Sequence, residues 1–348
     1  MGFNAKKKAA TMMKIKTLYR FSLRSLPQWM GVGVLLLIAG LDGAIAKTGD
    51  SYPVKPIRWV VPFTAGGSND VVARLIAAKM TESFGQTVVV DNRGGAGGLV
   101  GGDTVAHAPK DGYTLILSNP GPSINAPIMS SNAHYRVEDF ASVIFIGYAP
   151  LIVLTNLNFP PKNPRELIDY IKANPDKVSW GSSGIGSSLH IGLALLQAAT
   201  QIKVAHVPYK GTAPALTDLV GGQIQAMLTT TLSAEGQIKS NRVRVIGIAS
   251  ARRSSLLPNV PTLAESGIKE AEALVWFGMS VPSKTPNAVI HILNQEVNRI
   301  LAYPEVKQRF EQLGLEIEGG SVKAFDQFNQ NEAAKIRKLI ATGLLKKE

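Results

Sequence analysis

The chain has 348 residues, enough for two domains or one large α/β unit. Apolar residues make up 45% of it, ample for a packed core, and the absence of cysteine excludes disulfides, thiolate nucleophiles, cysteine zinc sites and a lipid-modified cysteine anchor. The formal charge of +12 is concentrated at the N-terminus: beyond residue 46 there are 30 positive and 24 negative residues, net +6, with no run of five like charges, which argues against a nucleic-acid partner.

Seven basic residues, from Lys6 to Arg24, precede the apolar stretch Met30–Gly40 and the small residues Ala44, Ile45 and Ala46. This order predicts an export signal cut after Ala46, with Met12 and Met13 as alternative starts. A retained anchor is the competing reading. The apolar run falls short of the roughly 20 residues that a span requires, and Asp42 interrupts its end.

From Pro53 the chain alternates between strand and helix patterns. "IRWVVPF", "TVVVDN" and "YTLILSN" read as strands; "NDVVARLIAAKMTESFG" and "GLVGGDTVAHA" read as helices. Apolar β-branched runs separated by helices imply a parallel sheet covered on both faces, hence a doubly wound α/β domain. Two adjacent apolar strands, "ASVIFIGYA" and "PLIVLTN", mark a crossing into a second domain. There a helix over 165–174, strand "KVSWGSS", helix "SSLHIGLALLQAAT", strand "VAHVPY", helix "APALTDLV", strand "IQAMLTTT" and strand "VRVIGIAS" are expected. "ALVWFGMSVP" reads as the return crossing. A helix follows, with Thr285 as N-cap and Pro286 at its first position, and then helices at 304–313 and about 322–342 that wrap back on the first domain. The expected domains are 52–148 with 272–348, and 149–271.

Enzyme motifs fail on spacing. "GGAGGLVGG" has Val100 where a dinucleotide fingerprint needs glycine, and "TAGGSND" lacks the P-loop lysine. "GSSGIGSS" has Ile185 where a nucleophile elbow needs glycine. The five histidines show no metal-ligand spacing. His190, on an apolar helix, is either a satisfied structural histidine or a donor facing a ligand.

Three segments share another design. "PFTAGGSND" (62–70), "GSSGIGSS" (181–188) and "YKGTAPA" (209–215) each leave a strand through small residues and enter a helix. Free N–H groups and the positive end of the helix dipole make such a junction an anion site, while Ser and Thr add donors. In open α/β sheets ligands bind beyond the carboxyl ends of the strands, so loops from two domains can meet in one cleft. A single loop of this kind is more often just a capped helix. One helix terminus supplies about 0.3–2 kcal/mol and micromolar binding needs about 8 kcal/mol, so the domains must also close on the guest.

At these loops the sequence resembles the Bug-type extracytoplasmic solute receptors of tripartite tricarboxylate transporters. The resemblance rests on "YPVKPIRWVVPFTAGGSNDVVARL", "VVVDNRGGAGGLVGGDTVAHAPKDGYTLI", "GSSGIGSSLHI", "HVPYKGTAPALTDLVGGQI", "LLPNVPTLAESG" and "WFGMSVPSKTP", and covers nearly the whole chain after residue 52. It implies a type II periplasmic-binding-protein fold: two α/β domains joined by two crossing strands, with the ligand cleft between them. It further implies a periplasmic, monomeric protein that captures an organic acid without chemistry or cofactor and delivers it to membrane transporter subunits. The alternative is a sensory receptor presenting the acid to a signalling partner. A hydrolase using Ser183 or Ser187 with His190 is the enzyme reading, and it lacks a visible orienting carboxylate.

The candidate site follows from the loops. The first contributes Phe63, Thr64, Ala65, Gly66, Gly67, Ser68 and Asn69, with Asn119 closing the third strand. The second domain contributes Ser183, Gly186, Ser187 and His190, then Tyr209, Lys210 and Gly211, then Thr229 and Thr230. Phe63, Tyr148, Trp180 and Tyr209 could supply a flat wall. Asp70 is assigned to the first helical turn rather than to the ligand. The family commonly has Thr at the position of Asn69 and Asp-Asn after the strand ending at Leu228, where this chain has Thr229, Thr230 and Thr231. Neutral threonines suit a second carboxylate better than an amine, so a dicarboxylate or an aromatic acid is expected over an amino acid.

Overall fold

The computed structural model describes residues 52–343 and 345–347, so the expected export signal lies outside the described residues. In the first sheet, β1 (Ile57–Val61) is flanked in parallel by β2 (Val88–Asn92) and β3 (Thr114–Ser118). Two long strands, β4 (Phe140–Pro150) and β10 (Leu274–Pro282), extend it in antiparallel fashion, and the short β11 (Glu316–Ile317) closes the edge in the order β2-β1-β3-β10-β4-β11. The second sheet repeats the plan. β6 (Ser179–Ser182) lies parallel between β7 (Ala205–Pro208) and β8 (Ala226–Thr229), and β5 (Ile152–Asn156) and β9 (Val243–Ile248) complete the order β7-β6-β8-β5-β9. Both sheets are therefore mixed rather than wholly parallel, because the crossing strands join each one antiparallel.

Each parallel half has its first strand in the middle, which creates a switch point between the first and third strands, where doubly wound sheets bind ligands. The helices α1 (Ser68–Phe84) and α2 (Leu99–Ala106) connect the first half; α5 (Ser188–Thr200) and α6 (Thr212–Val220) connect the second. Between β3 and β4 the chain makes a π-helical turn, Gly121–Asn125, that runs on into α3 (Ala126–Met129). Helix α4 (Pro164–Ala173) leads from β5 to β6.

The chain switches sheets at Leu151, between β4 and β5. There Leu151 N–H donates to the Ala273 carbonyl, Ala273 N–H to the Ala249 carbonyl and Ala249 N–H to the Leu151 carbonyl, at 2.8–3.0 Å. Both crossings are thus tied together at one level. The core packs continuously through this level, from Trp59, Ile76 and Leu115 in one domain to Val153, Trp180 and Leu228 in the other.

Three C-terminal helices, α8 (Asn287–Leu301), α9 (Pro304–Leu313) and α10 (Val322–Ala341), return to the first domain. Phe325 and Phe328 of α10 pack on Phe145 and Trp276 of the crossing strands. The start of α8 differs from expectation. Pro286 takes the cap position and Thr285 does not cap the helix, because its hydroxyl donates to the Pro282 carbonyl at 2.7 Å.

Candidate functional site

The carboxyl ends of β1, β3, β6 and β8 carry the chemistry. From β1 the chain turns through 62–67 into α1, whose first residues Ser68 and Asn69 are both buried. Asp70 folds back to accept the Gly66 N–H at 3.0 Å and pairs with Arg74 at 2.9 Å, so it organises the first turn as expected. From β3, Asn119 donates its side-chain amide to the Asn69 side chain at 2.7 Å, and its Oδ1 accepts the Gly121 N–H at 3.0 Å. Asn69 and Asn119 thus lock two loops of the first domain together.

In the second domain Ser187 caps α5. Its Oγ accepts the His190 N–H at 3.3 Å and donates to the Gly184 carbonyl at 2.6 Å. His190 turns its ring back along the same loop, where Nδ1 accepts the Gly186 N–H at 3.1 Å. Both Ser187 and His190 are committed to loop geometry, and among the described residues no carboxylate is a hydrogen-bond partner of either, so the hydrolase arrangement is not formed there. Ser183 is buried in the same loop.

The loops of the two domains meet. Asn125 of the π-helical turn donates across to the Gly186 carbonyl at 3.0 Å. Gly97, with φ of +62°, lies so close that a Cβ there would overlap the Ile185 carbonyl oxygen. A Cβ on Gly67 would stand 3.6 Å from the Thr212 Cβ, and one on Gly211 would overlap Thr64 Oγ1, so the tips of α1 and α6 face one another. A fourth tip joins them. Helix α7 (Thr231–Lys239), capped by Thr230, places Ser233 Oγ on the Ser68 N–H at 2.9 Å. The N-termini of α1, α5, α6 and α7 thus lie around one closed seam. Among the described residues, Thr64 Oγ1, against Gly211 at the seam, and Thr229 Oγ1, at the carboxyl end of β8, are buried without a protein partner, and a buried polar atom left unpaired is costly unless a ligand or water satisfies it.

Other expected residues fall as follows. Ala65 and Gly66 form the exposed tip of the first loop, and Phe63 is buried with its ring turned toward Gly121. Lys210 is exposed and, among the described residues, joins no ion pair. The aromatic wall does not assemble. Trp180 is fully buried within the second sheet. Tyr209 packs over Gly181 and donates its hydroxyl to Asp218 at 2.6 Å; burial and that carboxylate push its phenol up to about 12. Tyr148 pairs with Trp276 and Glu316 across the outer strands and donates to the Glu316 side chain at 2.7 Å.

Sequence reading did not identify Ser233, Asn125, Gly97 or His206. Ser233 lies 165 residues from its partner and Asn125 lies 61 from its own, so no local pattern signals either. His206 was within reach, because the expected strand "VAHVPY" places it beside Trp180 once β6 and β7 are paired.

Two α/β domains with switch-point loops converging from both sides define a type II periplasmic binding protein. Comparison with known proteins makes this specific. Residues 72–344 match the tripartite tricarboxylate transporter family receptor, and the chain belongs to that family. The periplasmic binding protein BugD superposes with a TM-score of 0.81 at 37% identity, covering 85% of this chain and 100% of that one. R. palustris Rpa4515, solved with adipate, gives 0.80 at 32% identity over 84% and 98% of the two chains. MatC (Rpa3494) from Rhodopseudomonas palustris, with bound malate, gives 0.79 at 31% over 83% and 100%. The chain is a solute-binding protein of the Bug type and not an enzyme.

Proposed function

We propose that this protein is exported to the periplasm, captures a small dicarboxylate by closing its two domains, and delivers it to the membrane subunits of a transporter. The observation that carries the reading is the convergence of four helix N-termini from both domains on a seam that holds the unpaired Thr64 hydroxyl, with the unpaired Thr229 hydroxyl at the adjoining end of β8. Helix tips supply N–H donors and a favourable field for carboxylate oxygen. The seam loops 62–69, 183–187 and 209–212 carry Lys210 as their one charged side chain, which is basic.

The dispersal of Trp180, Tyr209 and Tyr148 into other contacts favours an aliphatic diacid over an aromatic acid. The neutral Thr229–Thr231 segment favours a second carboxylate over an amine. Adipate and malate, found on two relatives, are guests of this class. We further assign the domain boundaries to the Leu151 level and the segment between β9 and β10.

Calorimetry of the chain from residue 47 onward against malate, adipate, a tricarboxylate and the standard amino acids tests the reading. A diacid is expected to bind most tightly. Tighter binding of an amino acid would reject the proposed ligand class, and loss of a gene response with uptake intact in a deletion strain would reject the transport role.

A further inference from the structure

Behind the second-domain loop two imidazoles lie face to face. His190 in the first turn of α5 and His206 on β7 stack with ring centres 4.5 Å apart and 8° between their planes. Each ring offers a lone pair to the loop. His190 Nδ1 accepts the Gly186 N–H at 3.1 Å. His206 Nε2 lies 2.7 Å from Ser182 Oγ, which already accepts the Gly184 N–H at 3.1 Å. The serine proton therefore points to Nε2, since the alternative acceptor, the Gly184 carbonyl, is 3.4 Å away. Both rings are neutral in this arrangement.

The residue that His190 holds, Gly186, is the one that closes the seam through its next peptide. Gly186 gives its N–H to His190, and its carbonyl accepts Asn125 from the first domain at 3.0 Å. A proton on Nδ1 would set donor against donor at Gly186. A second proton on His206 would stack two cations at 4.5 Å and send the Ser182 hydroxyl to its longer contact. We propose that the His190–His206 pair is a proton-sensitive latch: the clamp closes on its carboxylate guest while both rings are neutral, and proton uptake frees Gly186, breaks its bond to Asn125 and releases the guest. This rests on the carboxylate-binding reading above.

Among the described residues, the segments that build and face the pair bring no charge to it. Helix α5, strands β6, β7 and β8 and the 183–187 loop carry no Asp, Glu, Lys or Arg, and neither does the 121–129 segment that faces the loop. Ile191 and Ala194 of α5 pack against the apolar cluster around Phe145 and Trp276. The nearest charged residues in sequence, Lys203 and Lys210, lie beyond the two ends of β7. Burial lowers both histidines, and His190 beside it helps to bring His206 to about 4. A histidine whose closed-state pKa is depressed favours closure at neutral pH, and that contribution is lost as pH falls from the ordinary histidine range toward the depressed value.

The test is calorimetry with malate at pH 7 and pH 5, on the wild type and on the double variant His190→Asn, His206→Gln, whose amides keep an acceptor at each position without titrating. Protonation of malate itself is common to both proteins. The wild-type Kd should rise at least about fivefold more than that of the variant over this interval; equal rises overturn the latch. No binding of any carboxylate at pH 7 would instead sink the functional reading, and the ligand-free wild type then judges the latch. In its NMR titration the Gly186 amide should shift in step with a His190 imidazole titrating below the ordinary range. An ordinary His190 titration with Gly186 unmoved would overturn the proposal.

Discussion

Asp70 carries a negative charge at a tip that favours anions, and the geometry shows why it is tolerated. Both oxygens face inward, one on the Gly66 N–H and one on Arg74. Burial raises its carboxyl, but hydrogen bonds from Arg74, the Gly66 N–H and Asn92 outweigh this and hold it below the usual carboxylate range. A carboxyl depressed by folding stabilises the protein above its unfolded pKa, near 4, and that contribution disappears as pH falls through the folded value. Asp70→Asn should therefore cost about 1–2 kcal/mol in urea unfolding at pH 7, with a difference from wild type that shrinks toward pH 3. A constant difference at both pH values would mean that the charge is not what stabilises the turn. Ser187 gives a second test at this scale. As the cap of α5 it should cost about 1 kcal/mol on truncation to Ala. Its hydroxyl serves the Gly184 carbonyl and the His190 N–H, so the same change should weaken carboxylate binding, measured by calorimetry.

At the scale of elements, the loops after β1 and β6 were legible because glycine and hydroxyl residues there sit between a β-branched run and a helical period. Helix α7 was not. Its sequence "TLSAEGQIK" buries only Leu232 and Ala234, too few apolar positions to show a period, and the Thr230 that caps it also reads as the end of a strand. The turn from Gly121 to Met129 was hidden for a different reason. Two prolines in "GPSINAPIM" read as loop, yet both fall in first turns, where a missing N–H costs nothing. In each case tertiary packing settled what local pattern left open, and each element brings a residue, Ser233 or Asn125, to the partner domain. Gly97 tests how tight that meeting must be. A methyl group there clashes with the Ile185 carbonyl across the seam and sits at a φ of +62° that disfavours a side chain, so Gly97→Ala acts as a wedge with added backbone strain. Overpacking of about 1–3 kcal/mol corresponds to roughly a five- to 150-fold loss in affinity, and small-angle scattering at saturating ligand should show a less compact protein than wild type. Unchanged affinity would mean that the guest binds without this contact.

For the whole molecule, the architecture combines two sheets with one continuous core. Apolar side chains from both domains pack through the Leu151–Ala249–Ala273 level, while the polar seam beyond the strand ends holds the domains by individual hydrogen bonds such as Ser68–Ser233 and Asn125–Gly186. The apolar level suits a hinge, because its packing is shared by both lobes, and the seam suits a clamp, because a few hydrogen bonds can be exchanged for contacts to a guest at small net cost. The expected consequence is a single cooperative unfolding transition that shifts as a unit with ligand. At a free concentration about 100 times Kd the guest contributes about 2.7 kcal/mol, which for a chain of this size raises Tm by roughly 5 °C, and the shift should grow with the logarithm of concentration. Differential scanning calorimetry checks this. Two separated transitions, of which only one moves, would show that a single domain holds the ligand and that closure of the seam is not part of binding.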